Sequence, residues 1–188
     1  MSNGAHKGSL MPDERLNRIA PDFTLPATDG STVSLESVRG EKGTVVAFIC
    51  NHCPYVVSSV RRMVEDAKAL AGDGVGFVAI CANDAQRYPA DSFERMKVFA
   101  ETHGFTFPYL HDEDQSVARA YQAAVTPDFF GLDADGVIKY RGRMDAGQTS
   151  APPPDAPREL LLAMRQIAAS GEGPSGQKPP AGCSIKWK

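Results

Sequence analysis

The spacing of apolar residues changes along the chain, and each change marks a predicted element. Short continuous apolar runs over residues 45–49 and 75–81 are typical of buried β-strands. Between them, apolar residues recur at helical spacing from Val56 to Leu70, with charged residues on the opposite face, which predicts an amphipathic helix. Strand, helix and strand in this order form a βαβ unit with parallel strands and a right-handed crossover.

The rest of the chain continues this alternation of strands and helices. Alternating apolar residues on both sides of Asp29-Gly30, and again around the turn at residues 133–136, predict two β-hairpins. The other predicted elements are an extended segment at residues 105–110 and helices at residues 92–103, 116–121 and 158–169. Asp91 and Ser92 are both candidates for the N-cap of the helix at 92–103.

These elements suggest a flexible arm at residues 1–19, one domain at residues 20–170, and a Gly/Pro-rich tail at residues 171–188. We expect the tail to be irregular and to pack on the domain, with Trp187 as its anchor. His111 and Asp112 are interpreted as a solvated strand exit.

Cys50-Asn51-His52-Cys53-Pro54 is the most informative segment, because it places a Cys-x-x-Cys pair between a predicted strand and a predicted helix. Proline favours the first helical position, which would make Cys53 the N-cap. Unpaired N–H groups and the helix dipole stabilise an anion there, so the pattern indicates Cys53 as the better-stabilised thiolate. His52 would add positive charge when protonated. The segment therefore predicts a dithiol redox site.

Two other interpretations of the cysteine pair remain open. A structural zinc site usually takes four nitrogen or sulfur ligands, and beyond this pair the sequence offers only scattered residues: Cys81, Cys183, His103 and His111. The pair could also be two small buried residues. We favour redox chemistry and expect neither a metal nor a cofactor.

Composition limits the partners. The chain has 188 residues, is 42% hydrophobic, and carries a formal net charge of -3 with both signs mixed, so no basic stripe indicates nucleic-acid binding. The first residues have no apolar core of a signal peptide, and no run of about eighteen apolar residues occurs. We therefore expect no membrane association and a cytoplasmic protein. In a reducing cytosol, four cysteines do not indicate a static disulfide scaffold.

Several segments together resemble the redoxin branch of the thioredoxin superfamily, which includes peroxiredoxin-like proteins of the alkyl hydroperoxide reductase/thiol-specific antioxidant type. Residues 20–25 with Asp29-Gly30 are similar to its entry hairpin, residues 48–54 to its active-site loop, and Val125-Thr126-Pro127 to its cis-proline loop. Residues 182–188 are similar to the tail of one uncharacterised peroxiredoxin-like subgroup. The resemblance spans residues 20–188 and implies an α/β, thioredoxin-like fold, with a central mixed β-sheet flanked by helices.

The resemblance also implies a site made of Cys50, His52, Cys53, Thr126 and Pro127, with a cis bond before Pro127. We expect a thiol-disulfide oxidoreductase, in which Cys53 attacks a substrate disulfide, Cys50 resolves the mixed disulfide, and Thr126-Pro127 orients the substrate. The reverse roles of the two cysteines are the alternative. The expected partners are a disulfide-containing protein or a small thiol or disulfide, with peroxide as a further candidate, and a cellular dithiol as reductant.

Departures from the family pattern keep other functions open. Ala47 stands where thioredoxins carry a buried acid, so His52, Asp128 or water would transfer the proton. Peroxiredoxins place a threonine three residues before the reactive cysteine, where this chain has Cys50, and they add a distant arginine, for which Arg141 and Arg143 are candidates. A thiol peroxidase is the first alternative function.

A non-catalytic redox sensor is the second alternative function. Cys81 keeps it open, because Cys50 and Cys81 follow neighbouring strands. We expect a Cys50–Cys81 or a Cys53–Cys183 contact. Asn83-Asp84 follows a strand at the expected edge of the site, although this pair is also common in turns.

Overall fold

The computed structural model describes residues 13–188, so residues 1–12 of the predicted arm lie outside the described residues. The strands are β1 (Thr24–Pro26), β2 (Thr32–Ser34), β3 (Gly43–Phe48), β4 (Val75–Cys81), β5 (Tyr109–His111), β6 (Val125–Thr126), β7 (Asp128–Leu132), β8 (Ile138–Gly142) and β9 (Cys183–Ser184). The helices are α1 (Leu35–Val38), α2 (Pro54–Gly72), α3 (Phe93–Thr102), α4 (Ser116–Tyr121) and α5 (Glu159–Ser170), with a 3₁₀ turn at Pro89–Asp91.

The central sheet has five strands in the order β5-β4-β3-β7-β8. Strands β3, β4 and β5 are mutually parallel, whereas β7 runs antiparallel to both of its neighbours, β3 and β8. The sheet is therefore mixed, and the predicted βαβ unit, the predicted hairpin at residues 133–136 and the β1-β2 hairpin are confirmed.

Both faces of the central sheet are covered, which explains why β3 is a continuous apolar run without alternation. Val45, Ala47 and Ile49 point into one core layer, which they share with α2, α3 and α5. Val46 and Phe48 point into the other layer, with α4 and residues of the N-terminal hairpin. All six residues of β3 are buried, so this strand fixes the position of the loop that follows it.

The cysteine loop leaves β3 and enters α2 as the sequence predicted. Cys53 has an extended backbone and is the N-cap of α2, and Pro54 follows at the first helical position. On the opposite side of the cysteines, β6 ends at Thr126 and β7 begins at Asp128, and the Thr126-Pro127 peptide bond is cis.

Both chain ends pack on the domain where they are described. The Asn17 N–H donates to the Ile138 carbonyl at 2.8 Å, so this part of the predicted arm is tied to β8. At the other end, β9 pairs with β6 and Ile185 is buried. Trp187 packs against the second core layer, and the Arg119 guanidinium lies over its indole ring, 4.5 Å from the ring centroid. The expectation that Trp187 anchors the tail is confirmed.

The interpretation of Asp112 as solvated is wrong. Its side chain is fully buried and accepts the backbone N–H groups of Val117 at 3.3 Å and Ala118 at 2.8 Å. These are unpaired donors of the first turn of α4, so Asp112 satisfies a helix N-terminus.

Within residues 13–188, no helix is both long and apolar enough to cross a membrane.

Candidate active site

The two thiols of the motif lie together beneath the surface at the start of α2. Cys50 and Cys53 are each 1% exposed. The Cys53 N–H donates to the Cys50 sulfur at 3.3 Å, which folds the loop into a turn around that sulfur. All four cysteines are free thiols in this structure.

Thr126 contacts both sulfurs from the loop across the site. Its hydroxyl oxygen lies 3.4 Å from Cys50 Sγ, and its carbonyl oxygen lies 3.3 Å from Cys53 Sγ. The peptide bond that follows, Thr126-Pro127, is cis. The tertiary structure therefore brings together Cys50, Cys53, Thr126 and Pro127 from segments that are more than seventy residues apart in the chain.

Hydrogen bonding favours the thiolate on Cys53 over that on Cys50. The Cys50 thiol donates to the Cys53 sulfur, and with the thiol and N–H of Cys183 and the N–H of Val56 it lowers the pKa of Cys53 to about 4, against the opposing effect of burial. The same bond, together with burial, raises the pKa of Cys50 far above its usual range. A proton is thus held on Cys50 and a negative charge on Cys53.

His52 is held by a buried carboxylate. His52 Nδ1 lies 2.8 Å from Asp91 Oδ2, the side chain of His52 is 36% exposed, and that of Asp91 is fully buried. Asp91 also accepts the Asn51 N–H at 2.8 Å and the Asn83 side-chain amide at 2.9 Å. These three bonds fix the shape of the loop between the cysteines.

The Asp91 cluster includes a possible set of metal donors. Cys50 Sγ, a ring nitrogen of His52 and an Asp91 carboxylate oxygen all lie within 4.8 Å of one another. Sulfur, imidazole and carboxylate are ligands that zinc accepts, but ligands of one tetrahedral zinc ion stand roughly 3.4 Å apart. His52 and Asp91 are 2.8 Å apart, which is the distance of a hydrogen bond. The geometry therefore fits a hydrogen bond between His52 and Asp91.

The two arginines considered for a peroxide site are both paired with carboxylates. Arg141 binds Asp128 through two hydrogen bonds of 3.0 and 2.9 Å. Arg143 binds Glu159 in the same way, at 2.7 and 2.8 Å. Asp128 also accepts the Ala124 N–H at 3.1 Å, so both of its oxygens have structural partners and a role for Asp128 as proton carrier is disfavoured.

Comparison with known proteins places these features in a family. A model of the AhpC/TSA family matches residues 16–141. The chain belongs to the AhpC/TSA family. It is a redoxin with a thioredoxin-like fold, as the sequence motifs indicated, and such proteins are oxidoreductases that work through cysteine thiols.

Three similar proteins show which kinds of protein this AhpC/TSA protein resembles. A crystal structure of an uncharacterized conserved protein from Geobacillus kaustophilus has a TM-score of 0.87 and 45% identity, covering 92% of each chain. A putative peroxiredoxin of Mycobacterium tuberculosis is 29% identical over 120 residues, which are 64% of this chain and 71% of that protein. The thiol-disulfide oxidoreductase ResA of Geobacillus kaustophilus is 31% identical over 120 residues, 64% of each protein.

Sequence reasoning about this AhpC/TSA protein missed Asp91 as part of the site. Asp91 was one of two N-cap candidates, and in the structure Ser92 caps α3 by accepting the Arg95 N–H at 3.2 Å. The sequence did contain a signal for this. Asp91 and Ser92 can both cap a helix, and the start of α3 needs only one of them, which left the other free for a different role. Asn83, singled out after β4, does reach the cluster through Asp91.

Cys81 and Cys183 differ in their relation to the pair. Cys183 is partly exposed and hydrogen-bonds Cys53, as expected. Cys81 is fully buried at the end of β4, and burial raises its pKa to about 12. A fully buried position inside the core fits a structural role.

The ionisation of Cys53 gives a first prediction. In the reduced protein, we expect thiolate ultraviolet absorbance at neutral pH that disappears with a midpoint near pH 4, because the native contacts lower the pKa of Cys53 to about that value. Cys53→Ser should remove this signal. Cys50→Ala should move its midpoint to higher pH, since hydrogen bonding from the Cys50 thiol is the largest cause of the lowering and alanine has no donor. A midpoint in the wild type near the ordinary thiol pKa of 9.0 would contradict the assignment.

Proposed function

We propose that the protein is a thiol-disulfide oxidoreductase that uses the Cys50–Cys53 dithiol, with Cys53 as nucleophile. The proposal depends on one observation: Cys53 is the N-cap of α2, and hydrogen bonding from the Cys50 thiol lowers its pKa. A thiolate is the attacking species in thiol-disulfide exchange, and here the contacts favour it on Cys53.

The proposed reaction proceeds in two exchanges. The Cys53 thiolate attacks one sulfur of a substrate disulfide, the substrate S–S bond breaks, and one substrate thiolate leaves. The Cys50 thiol then loses its proton, its thiolate attacks the Cys53 sulfur, and the second substrate thiolate leaves. The substrate disulfide is thereby reduced and the Cys50–Cys53 pair is oxidised, until a dithiol reductant of the cell reduces the pair again.

We propose that His52 accepts the proton from Cys50 in the second exchange. One of its ring nitrogens lies within 4.8 Å of the Cys50 sulfur, and the buried Asp91 carboxylate, 2.8 Å from Nδ1, orients the ring. Thr126 would hold the substrate, because its carbonyl faces the Cys53 sulfur and its hydroxyl faces that of Cys50. A substrate that is itself a protein or a small disulfide fits this scheme, in a cytoplasm that keeps thiols reduced.

Peroxide reduction is the second candidate function, and the similarity to a putative peroxiredoxin favours it. A low-pKa thiolate could attack a peroxide oxygen as well as a sulfur. Two features weigh against it: Cys50 occupies the position of the peroxiredoxin threonine, and the guanidinium groups of Arg141 and Arg143 are bound to carboxylates.

Comparing the wild type with Cys50→Ser separates the two candidates. With a small disulfide and a dithiol reductant, we expect steady turnover by the wild type. Cys50→Ser should release the first substrate thiol normally and turn over more slowly, because its Cys53 mixed disulfide is resolved without the Cys50 thiol. Hydrogen peroxide should be consumed slowly by both. Rapid peroxide turnover that survives Cys50→Ser would overturn dithiol exchange and assign the protein to the peroxidases.

A further inference from the structure

The C-terminal tail places a third cysteine against the nucleophile. Strand β9 pairs antiparallel with β6, so that Cys183 lies opposite Thr126 and Ser184 opposite Val125. The Ile185 N–H donates to the Ala124 carbonyl at 3.1 Å, and the Ile185 side chain is 3% exposed. The position of Cys183 is thus set by a strand pairing and by an apolar anchor.

The approach of the tail is unusually close just before Cys183. A Cβ atom added to Gly182 would collide with the carbonyl of Thr126 and would also meet the Pro127 nitrogen. Only glycine at this position lets the tail lie directly on the loop that faces the two active-site sulfurs. The tail is therefore fitted to the Thr126-Pro127 loop.

The tail also occupies the edge that an extended substrate would use. In the described part of the chain, β6 forms a two-stranded sheet with β9 alone. An exposed strand edge binds extended peptides by adding them as a strand, and side chains that alternate along the peptide supply the specific contacts. Here the added strand belongs to the same chain, and the side chain that it presents beside Cys53 is a thiol.

We propose that Cys183 is a third redox-active thiol, which resolves the mixed disulfide on Cys53 by forming a Cys53–Cys183 bond. The proposal rests on the proposed function, since it takes Cys53 as the nucleophile. Cys183 lies opposite Thr126 in the strand pairing, and the Thr126 carbonyl oxygen is 3.3 Å from Cys53 Sγ, so the two thiols are neighbours. A disulfide requires their sulfurs to approach to about 2.05 Å. Cys183 is also the more accessible of the two, because it is partly exposed whereas Cys53 is 1% exposed.

The step balances as a disulfide exchange. After Cys53 has attacked a substrate disulfide R–S–S–R′ and R′–S⁻ has left, the Cys183 thiol gives its proton to solvent or to the departed thiolate. The Cys183 thiolate attacks the Cys53 sulfur, the bond between Cys53 and R breaks, and R–S⁻ leaves. Two protein thiols are oxidised to one disulfide and one substrate disulfide is reduced to two thiols. A dithiol then reduces the Cys53–Cys183 bond from its accessible Cys183 side.

Oxidised glutathione added to the Cys50→Ser variant tests the proposal, because this variant lacks the competing resolving thiol. We expect two glutathione thiols released per protein, and a Cys53–Cys183 linked peptide after non-reducing digestion and mass spectrometry. The matched Cys50→Ser/Cys183→Ser variant should release one thiol and stop as a glutathione adduct on Cys53. If Cys50→Ser also stops at that adduct, with Cys183 still free to alkylate, the proposal is overturned.

A glycine pair tests the geometry without removing a thiol. In the Cys50→Ser background, Gly182→Ala should lower the yield of the linked peptide at least fivefold, because the new Cβ pushes the tail off Thr126. Gly72→Ala is the control, since a Cβ there meets nothing within 4 Å, and it should leave the yield unchanged. Equal yields in both variants would overturn the role of the strand pairing. If serine at position 50 prevents folding, Cys50→Ala replaces it throughout.

These outcomes are separable from those of the proposed function. If the wild type fails to turn over disulfides while Cys50→Ser still forms the Cys53–Cys183 bond, dithiol exchange is rejected as the function and the redox role of Cys183 is retained. If the wild type turns over disulfides and Cys50→Ser yields only the glutathione adduct, only the redox role of Cys183 is rejected.

Discussion

Cys53→Ser is expected to lower the rate of disulfide reduction by roughly 10³-fold or more, equivalent to about 4 kcal/mol of lost transition-state stabilisation. A serine hydroxyl in place of Cys53 stays protonated at neutral pH, whereas the contacts around the thiol lower the pKa of Cys53 to about 4. The measurement is steady-state reduction of a small disulfide with a dithiol as the electron donor. It would be made beside a thermal melt, to show that the variant is folded.

Cys81→Ala is the matched control for the loss of a buried cysteine. Cys81 is fully buried at the end of β4 and belongs to the same core layer as α2 and α3. We expect this variant to keep its turnover within about twofold and to lose some stability, because a small cavity replaces the sulfur. Comparable losses of activity in Cys53→Ser and Cys81→Ala would mean that the activity does not depend on Cys53 as the nucleophile.

Arg141→Met is expected to have the largest effect on stability, a loss of about 3–5 kcal/mol in the free energy of unfolding at neutral pH. Asp128 is fully buried and Arg141 supplies two hydrogen bonds to it, at 3.0 and 2.9 Å. Removing the guanidinium leaves a carboxylate inside the protein with only the Ala124 N–H. Urea unfolding of the wild type and the variant measures the loss.

The pH dependence of that loss follows from the direction of the Asp128 shift. Burial raises the pKa of Asp128 above its usual value, and Arg141 opposes the rise, so Arg141→Met should raise this pKa further. A carboxyl whose pKa is higher in the folded state binds its proton more tightly there, and its unfavourable contribution grows as the pH rises through the folded pKa. The deficit of the variant should therefore shrink on acidification from about pH 7 to about pH 5.

The double variant Asp128→Asn/Arg141→Met separates the charge from the packing. A neutral amide at position 128 does not need a counter-ion, so the double variant should regain a large part of the stability that Arg141→Met loses. A deficit that is unchanged by Asp128→Asn and by pH would indicate that the packing of the Arg141 side chain, and not the buried ion pair, stabilises this part of the sheet.

Local signals predicted the start of α2 well. Proline is suited to the first turn of a helix and cannot supply an N–H to its interior, so Pro54 alone indicated that Cys53 is the N-cap. The apolar runs of β3 and β4 likewise predicted buried parallel strands, because a strand covered on both faces has no polar alternation. These features depend on neighbours in sequence, and the sequence shows them directly.

The environment of the pair could not be predicted in the same way. Asp91 reaches Asn51 and His52 across about forty residues, and its role in the loop depends on how α3 and β4 pack together. Asp128 was considered a proton carrier, yet it is bound by Arg141, thirteen residues away on the next strand. Buried polar contacts of this kind are set by the sheet register, which no local pattern specifies.

The sequence by itself determined the order of elements, the strand–cysteine loop–helix unit, and the residue types available for thiol chemistry, because helix caps, turns and apolar runs act over a few residues. The N-cap position already indicated Cys53 as the better-stabilised thiolate, and only the tertiary structure added the contacts with Cys50 and Cys183 that lower its pKa further. The tertiary structure also decided that the tail lies on the Thr126-Pro127 loop, because the pairing of β9 with β6 joins segments separated by more than fifty residues.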